Sequence, residues 1–102
     1  MEFPTEIIGE KGVITVNSDL DTEAAGDALQ SALEQVLECG KKTVVINLSQ
    51  VQIVNSYGLG KLFGCYKKVK DSQGELRVKS PQGFVKDMMG LLLIDQLMPV
   101  EE

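Results

Sequence analysis

The sequence predicts an α/β fold in which helices pack on a small mixed β-sheet. Candidate strands and helices follow one another in the order β-β-α-β-α-β-α-β. Strands that alternate with helices favour βαβ crossovers and a largely parallel sheet. The run Thr43–Leu48 is apolar almost throughout, as in a central strand that is covered on both faces by helices.

The chain opens with two short apolar stretches that predict a β-hairpin. Thr5–Gly9 and Val13–Asn17 are the candidate strands, and Glu10-Lys11-Gly12 between them supplies a short turn that contains glycine. The hairpin adds an antiparallel pair to the otherwise parallel sheet. The order of elements is therefore an opening hairpin followed by βα units.

The first helix is predicted from capping residues and a clear helical stripe. Asp21 or Thr22 is the expected N-cap, the helix runs to about Cys39, and Gly40 is a typical stop. One face of this helix is apolar at helical spacing and is expected to pack on the sheet. Its members are Ala25, Ala28, Leu29, Ala32, Leu33, Val36 and Leu37.

The second helix is expected to begin at Asn55-Ser56 and to end near Lys70. Val51 and Ile53 in the preceding loop alternate with glutamines, which predicts that the loop is held against the core. Small residues interrupt the helix at a cost of about 1 kcal/mol each relative to alanine, which indicates close approach by the sheet or by a partner; they are Gly58, Gly60 and Gly64. The expected apolar positions are Leu59, Leu62, Phe63, Tyr66 and Val69, opposite a polar side formed by Tyr57, Lys61, Cys65 and Lys68.

The last third of the chain predicts a strand, a helix and a final short strand. Glu75–Lys79 alternates between polar and apolar residues, and a helix follows from about Phe84. Leu97–Val100 is the expected last strand, with Pro99 confining it to an edge or an end of the sheet. Residues 91–94 are too continuously apolar to be buried in one helical stripe, so part of this segment is expected to cover a partner.

Composition limits the function classes. The 102 residues are expected to form one domain spanning 1–102, and the net charge of −5 argues against nucleic acid as a partner. Histidine is absent, and Cys39 and Cys65 do not form a metal-binding or redox motif, so neither a metal nor a cofactor is expected. No stretch approaches the roughly 20 apolar residues of a membrane span, and no signal peptide is recognised, so a cytoplasmic protein is expected.

The central segment carries a family resemblance. Val45–Ser49 followed by Val54–Gly60 resembles the signature of STAS domains, and most of all the bacterial anti-sigma factor antagonists. In that family an apolar strand and a short loop lead into Asp-Ser-Ser/Thr-Gly-Leu-Gly at the start of a helix. Ser56 matches the serine that the family phosphorylates, whereas Asn55 and Tyr57 depart from the pattern.

The resemblance implies a STAS-like sheet of four to five strands and a binding function without catalysis. It implies that the partner is an anti-sigma factor that is also a serine kinase, that phosphorylation of Ser56 ends binding, and that a separate serine phosphatase restores it. Asp19-Leu20-Asp21 matches the Glu-Leu-Asp that lies beside this serine in the family. The expected partner-binding residues are Asp19, Asp21, Asn55, Tyr57, Gly58, Gly60 and Lys61.

Two other functions are compatible with the sequence. Ser56 is also a good helix N-cap, and Asn55 lacks the charge of the family aspartate, so the chain could instead be an unmodified STAS subunit of a lipid-transport ATPase complex or a signalling complex. A small enzyme is the alternative from another class. It would have to use carboxylates, serine or lysine alone, since the sequence has no histidine and no phosphate-binding glycine loop.

Overall fold

A computed structural model describes residues 1–101, which form a five-stranded sheet, three α-helices and one short 3-10 helix. The sheet has the strand order β1-β2-β3-β4-β5, so each strand pairs with its neighbour in the chain. The bounds of the elements are β1 Thr5–Ile8, β2 Lys11–Thr15, α1 Glu23–Glu38, β3 Thr43–Asn47, α2 Ser56–Asp71, β4 Glu75–Lys79, α3 Gly83–Leu91, the 3-10 helix Ile94–Gln96 and β5 Val100–Glu101.

The sheet is mixed, as predicted. β1 and β2 pair antiparallel, whereas every later pair is parallel. Register places Ile14, Ile46 and Val78 side by side on one face, where all three are fully buried. The predicted α/β architecture of an opening hairpin followed by βα units is therefore confirmed.

The turn of the hairpin is shorter than predicted and lies earlier in the chain, because β2 begins at Lys11 rather than at Val13. Gly9 has a φ of +59° and allows a tight turn directly after Ile8. Gly12 belongs to the strand and not to the turn. A Cβ at Gly12 would lie 2.1 Å from Cγ1 of Val36, so the glycine lets α1 pack closely on β2.

β3 is buried on both faces, as predicted, but the helices cover only one face of the sheet, so the expected helical cover on the second face is wrong. Val44 and Ile46 belong to the core that the helices share, but Val45 points the other way and lies outside that core while still being buried. Val45 lies beside Arg77 in the sheet register. Long charged side chains thus cover apolar surface on this face.

An ion network crosses the helix-free face. Glu101 accepts hydrogen bonds from Arg77 at 2.9 Å and from Lys11 at 3.1 Å, and Arg77 also donates to Glu75 at 2.6 Å. The hydrogen bond from Arg77, together with the one from Lys11, lowers the pKa of Glu101. The same arginine lowers the pKa of Glu75. The network therefore links β2, β4 and β5 across the sheet.

The C-terminal strand is also displaced from its predicted position. Leu97 and Met98 are not in a strand, because their N–H groups both donate to the Ile94 carbonyl in the turn that ends the 3-10 helix. The strand comprises Val100 and Glu101, and the Pro99 carbonyl borders it by accepting from the Val78 N–H. Ile94 is buried, whereas the three leucines before it are exposed, in agreement with the expectation that residues 91–94 are not all covered.

Within residues 1–101, no helix combines the length and the hydrophobicity that crossing a bilayer would require.

The ion network predicts a pH dependence of stability. Because the pKa of Glu101 is lower in the folded chain than in the unfolded chain, its contribution is present above the unfolded pKa of about 4.3 and is lost as the pH falls through the folded pKa. We expect Glu101→Gln to lose less stability than wild type between pH 6 and pH 3 in urea unfolding. Glu10→Gln, in the exposed hairpin turn, is the control. Equal pH dependence of Glu101→Gln and wild type would contradict the role of the network.

Candidate functional site

The start of α2 is fixed by Asn55. Its backbone is extended, with φ −93° and ψ −177°, and its side-chain Oδ1 accepts a hydrogen bond from the Gly58 N–H at 2.9 Å. Its Nδ2 donates to the Asp21 carbonyl at 3.2 Å, which ties the cap to the segment before α1. Asn55 is thus the N-cap, and Ser56 is the first residue of the helix. The reading of Ser56 as the cap is wrong.

Ser56 stands exposed at the positive end of a helix. The first turn of α2 itself contains no acidic residue that would offset the dipole of this helix. The cap satisfies the Gly58 N–H, while the N–H groups of Ser56 and Tyr57 precede the first intrahelical bond, which Leu59 donates to the Asn55 carbonyl. An anion attached to Ser56 would therefore be stabilised by its own helix.

The loop before α2 is held by a loop clasp, the set of hydrogen bonds that joins residues 19–21 to residues 52–55. Oδ1 of Asp19 accepts from the N–H groups of Gln52 at 2.9 Å and Ile53 at 3.1 Å. The Leu20 N–H donates to the Ile53 carbonyl, and the Leu20 carbonyl accepts from the Asn55 N–H. The clasp brings the predicted residues Asp19, Asp21 and Asn55 together beside Ser56.

The glycines of α2 have different roles. A Cβ at Gly58 would lie 1.9 Å from the Leu20 carbonyl oxygen, so only glycine lets the first turn approach the loop clasp. Cβ atoms at Gly60 and Gly64 would meet nothing within 4 Å. The predicted close approach therefore comes from inside the protein at Gly58, while the other two glycines leave an open surface.

A groove of about 480 Å³ runs between α1 and α2 and reaches Ser56. Leu33 from α1 and Cys65 from α2 are its buried members. Burial raises the pKa of the Cys65 thiol to about 11, so this thiol is neutral at physiological pH. The groove is lined by Gln30, Leu33, Ser56, Tyr57, Gly60, Lys61, Gly64, Cys65 and Lys68.

Tyr57 and Lys61 lean from α2 onto α1 across one end of this groove. A Cβ at Gly26 would lie 2.9 Å from Cε2 of Tyr57 and 2.9 Å from Cγ of Lys61, so the glycine in α1 makes room for both side chains. The Lys61 Nζ is 3.8 Å from Oδ1 of Asp27 and 5.5 Å from the centroid of the Tyr57 ring. Farther along the groove, the Lys68 Nζ lies 3.3 Å from Glu34.

Two predicted orientations on α2 are reversed. Cys65 faces the core instead of solvent, and Phe63 is 38% exposed instead of buried. The true apolar face is Gly58, Leu62, Cys65 and Val69. Counting Cys65 as apolar would have revealed this stripe, because Leu62, Cys65 and Val69 recur at helical spacing.

Apolar side chains near Ser56 are exposed, and the exposure of Ile53 departs from the prediction. Ile53 is 48% exposed and Tyr57 is 41% exposed, although Ile53 was expected to be held against the core together with Val51. Val51 and Val54 of the same loop are buried. The loop clasp explains the difference, because it holds the backbone of Ile53 and leaves its side chain outside. Ser56 thus lies among apolar side chains that are available for contact.

Comparison with known families decides the identity of the fold. The sequence model of the STAS domain family matches residues 2–102. The chain belongs to the STAS domain family. This assignment agrees with the resemblance that the Asn55–Gly60 segment carries.

Similar proteins share this STAS fold over nearly the whole chain. A protein of Thermotoga maritima that is provisionally named an anti-sigma factor antagonist is 24% identical over 98 residues, which are 96% of this chain and 87% of the relative. A relative from Thermotoga neapolitana, provisionally named as an anti-sigma factor antagonist homologous to TM1081, is 22% identical with the same coverage. The crystal structure of the T. maritima protein has a TM-score of 0.85 at 21% identity, covering 98% of this chain and 86% of that chain.

Two further STAS structures differ in their state of modification. The anti-sigma factor antagonist SpoIIAA in its unphosphorylated form has a TM-score of 0.69 at 19% identity, with 98% of this chain and 86% of that chain covered. The Bacillus cell fate determinant SpoIIAA in its phosphorylated form has a TM-score of 0.73 at 16% identity, with 98% and 91% covered. At such low sequence identities, the structural similarity shows a shared fold alone.

The glycine geometry predicts opposite effects of the same substitution two positions apart. We expect Gly58→Ala to lower the free energy of unfolding by about 1–3 kcal/mol, because its Cβ would collide with the Leu20 carbonyl. Gly60→Ala is the matched control and is expected to raise it by about 0.5–1 kcal/mol, since its Cβ enters open space. Urea unfolding of the two variants measures both. Equal effects would contradict the close approach at Gly58.

Proposed function

We propose that this STAS domain is an anti-sigma factor antagonist, a binding module without catalysis of its own that acts in the cytoplasm. In its unmodified form it binds an anti-sigma factor, and phosphorylation of Ser56 ends that binding. The observation that carries the proposal is the exposed position of Ser56 at the first residue of α2, with the capping role taken by Asn55. The names of the relatives from two Thermotoga species support the same class.

The surroundings of Ser56 suit a switch that works by charge. Ile53 in the loop before α2, and Tyr57 and Phe63 in the first half of α2, expose apolar surface, and such side chains make favourable contacts in the core of an interface. A phosphate would add about −1.5 to −2 charges at pH 7 to this surface. Burying that charge without a counter-charge in the partner would weaken docking.

The modifying reaction fits a partner that is itself a serine kinase. The Ser56 Oγ attacks the γ-phosphorus of ATP, a new Oγ–P bond forms, the bond to the β-phosphate oxygen breaks, and ADP leaves. The hydroxyl proton passes to a base on the kinase, because the cap places an amide and no carboxylate next to Ser56. A separate serine phosphatase would return the hydroxyl by transferring the phosphoryl group to water.

A second function is favoured by one residue. Asn55 retains the capping geometry but not the negative charge of the family aspartate. If that charge is needed for phosphorylation, Ser56 is never modified, and the chain is a constant subunit of another assembly, such as a lipid-transport ATPase complex or a signalling complex.

The Asn55→Asp variant tests the effect of this charge by itself, because aspartate caps a helix as well as asparagine does. A large gain in phosphorylation by the partner kinase would show that Asn55 limits the reaction.

A pull-down from the native cells separates the two functions. The baits are wild type, Ser56→Ala and Ser56→Asp, and bound proteins are identified by mass spectrometry. An anti-sigma factor with a serine kinase domain that is retained by wild type and Ser56→Ala, but lost by Ser56→Asp, is the expected result. A transporter ATPase retained equally by all three baits would contradict the antagonist function.

The strength of the switch is tested on the purified partner. We expect Ser56→Asp to raise the Kd by at least tenfold, because it places a carboxylate among the apolar contacts next to the helix N-terminus. Ser56→Ala is expected to bind like wild type and to resist phosphorylation by ATP. Isothermal titration calorimetry measures both affinities. Unchanged binding by Ser56→Asp would overturn the switch.

A further inference from the structure

The groove between α1 and α2 contains one lysine that lies close to Ser56 along the helix. Ser56 and Lys61 line the same groove. They are five residues apart, which is about 7.5 Å along the axis of α2 and about 140° around it. The Lys61 side chain extends back toward the start of the helix, since its Nζ lies 5.5 Å from the ring of Tyr57, in the first turn.

The ammonium group of Lys61 makes only weak polar contacts in its present position, although the stem of the side chain packs over Gly26. Its Nζ is 3.8 Å from Oδ1 of Asp27, and the Asp27 side chain is 62% exposed. Ion pairs at such exposed sites contribute little, because water screens them. The contact with the Tyr57 ring is also made at the surface. A phosphate is a stronger acceptor than either partner.

We propose that Lys61 is the counter-charge of phosphorylated Ser56 and that its ammonium moves from Asp27 to the phosphate. This inference rests on the proposed phosphorylation of Ser56 and specifies how that site is regulated. The modification leaves the phosphate on its helix N-terminus with one ammonium beside it. It also leaves the carboxylate of Asp27 on α1 without its lysine partner.

No other cation lining the groove occupies an equivalent position. Lys68 follows Ser56 by twelve residues, or about 18 Å along α2, and pairs with Glu34. The other charged side chains on the segments next to the start of α2 are carboxylates, those of Asp19 and Asp21 in the segment before α1 and of Asp27 on α1. Oδ1 of Asp19 is bound to two backbone N–H groups of the loop.

The transfer of Lys61 extends the switch beyond the modified residue. In the unmodified chain, Lys61 joins α2 to α1 through Asp27. After transfer, this part of the surface carries both a phosphate and an unpaired Asp27. The docking surface therefore becomes negative on two helices, which repels a partner over a wider area than one phosphate would.

The test uses the full chain with phosphoserine installed at position 56 during synthesis, so that no kinase is needed. The second pKa of the phosphate is read by phosphorus NMR in wild type, Lys61→Met and Lys67→Met. Lys67 is the matched control, since it pairs with Asp71 at the other end of α2. We expect Lys61→Met to raise this pKa by about half a unit, because a nearby cation favours the doubly charged phosphate, and Lys67→Met to leave it unchanged.

A second readout follows the release of Asp27. We expect phosphoserine to shift the amide resonances of Gly26 and Asp27 in wild type, and this shift to be absent in Lys61→Met. Equal phosphate pKa values in Lys61→Met and Lys67→Met, or a shift of Gly26 and Asp27 that persists in Lys61→Met, would overturn the inference. Because the phosphate is introduced by synthesis, these outcomes are independent of whether a cellular kinase modifies Ser56, which the Ser56 variants test separately.

Discussion

The loop clasp is the interaction on which the rest of this site depends. Asp19 accepts hydrogen bonds from two backbone N–H groups of the loop before α2. The backbone of Leu20 donates a hydrogen bond to Ile53 and accepts one from Asn55 on the same loop. These bonds hold the turn between β3 and α2 against the turn between β2 and α1. The buried side chain of Leu20 anchors the clasp in the core, and the absence of a side chain at Gly58 lets α2 begin directly above it.

Two adjacent residues at the end of the clasp have separate roles. Asn55 uses both ends of its amide for structure, one for the Gly58 N–H and one for the Asp21 carbonyl. Ser56 therefore does not cap the helix. Its side chain is exposed at the helix N-terminus, where the helix dipole favours negative charge. Aspartate can accept from Gly58 but cannot donate to the Asp21 carbonyl, so the amide strengthens the clasp where the family carboxylate would not. The departure from the family pattern thus has a structural basis, whatever it does to phosphorylation.

Much of this arrangement could be predicted from local sequence signals. The capping residues and the apolar run placed α1, β3 and the start of α2 correctly, because each signal acts within a few residues. The match of Asp19-Leu20-Asp21 to the family placed the clasp beside Ser56, and the structure confirms that proximity. The bonds themselves were not predictable, because they join segments more than thirty residues apart.

The errors arose where tertiary packing overrides local pattern. Gly12 was read as a turn residue, but the reason for glycine there is the side chain of Val36 from α1. Val45 was expected to lie under a helix, whereas an ion network with Arg77 borders it instead. The assignment of Phe63 to the core in place of Cys65 follows from counting the cysteine with the polar side of the helix. Because Cys65 occupies the core position, the side chain of Phe63 is exposed.

The most direct test of the account is the phosphorylation state of Ser56 in the chain isolated from its native cells. Mass spectrometry of the intact chain and its peptides gives both the site and the occupancy, with phosphatase inhibitors present throughout. The account predicts phosphate on Ser56, and a bound anti-sigma factor only in the fraction that lacks it. An unmodified Ser56 under every growth condition, in a chain that stays bound to the same partner, would contradict it.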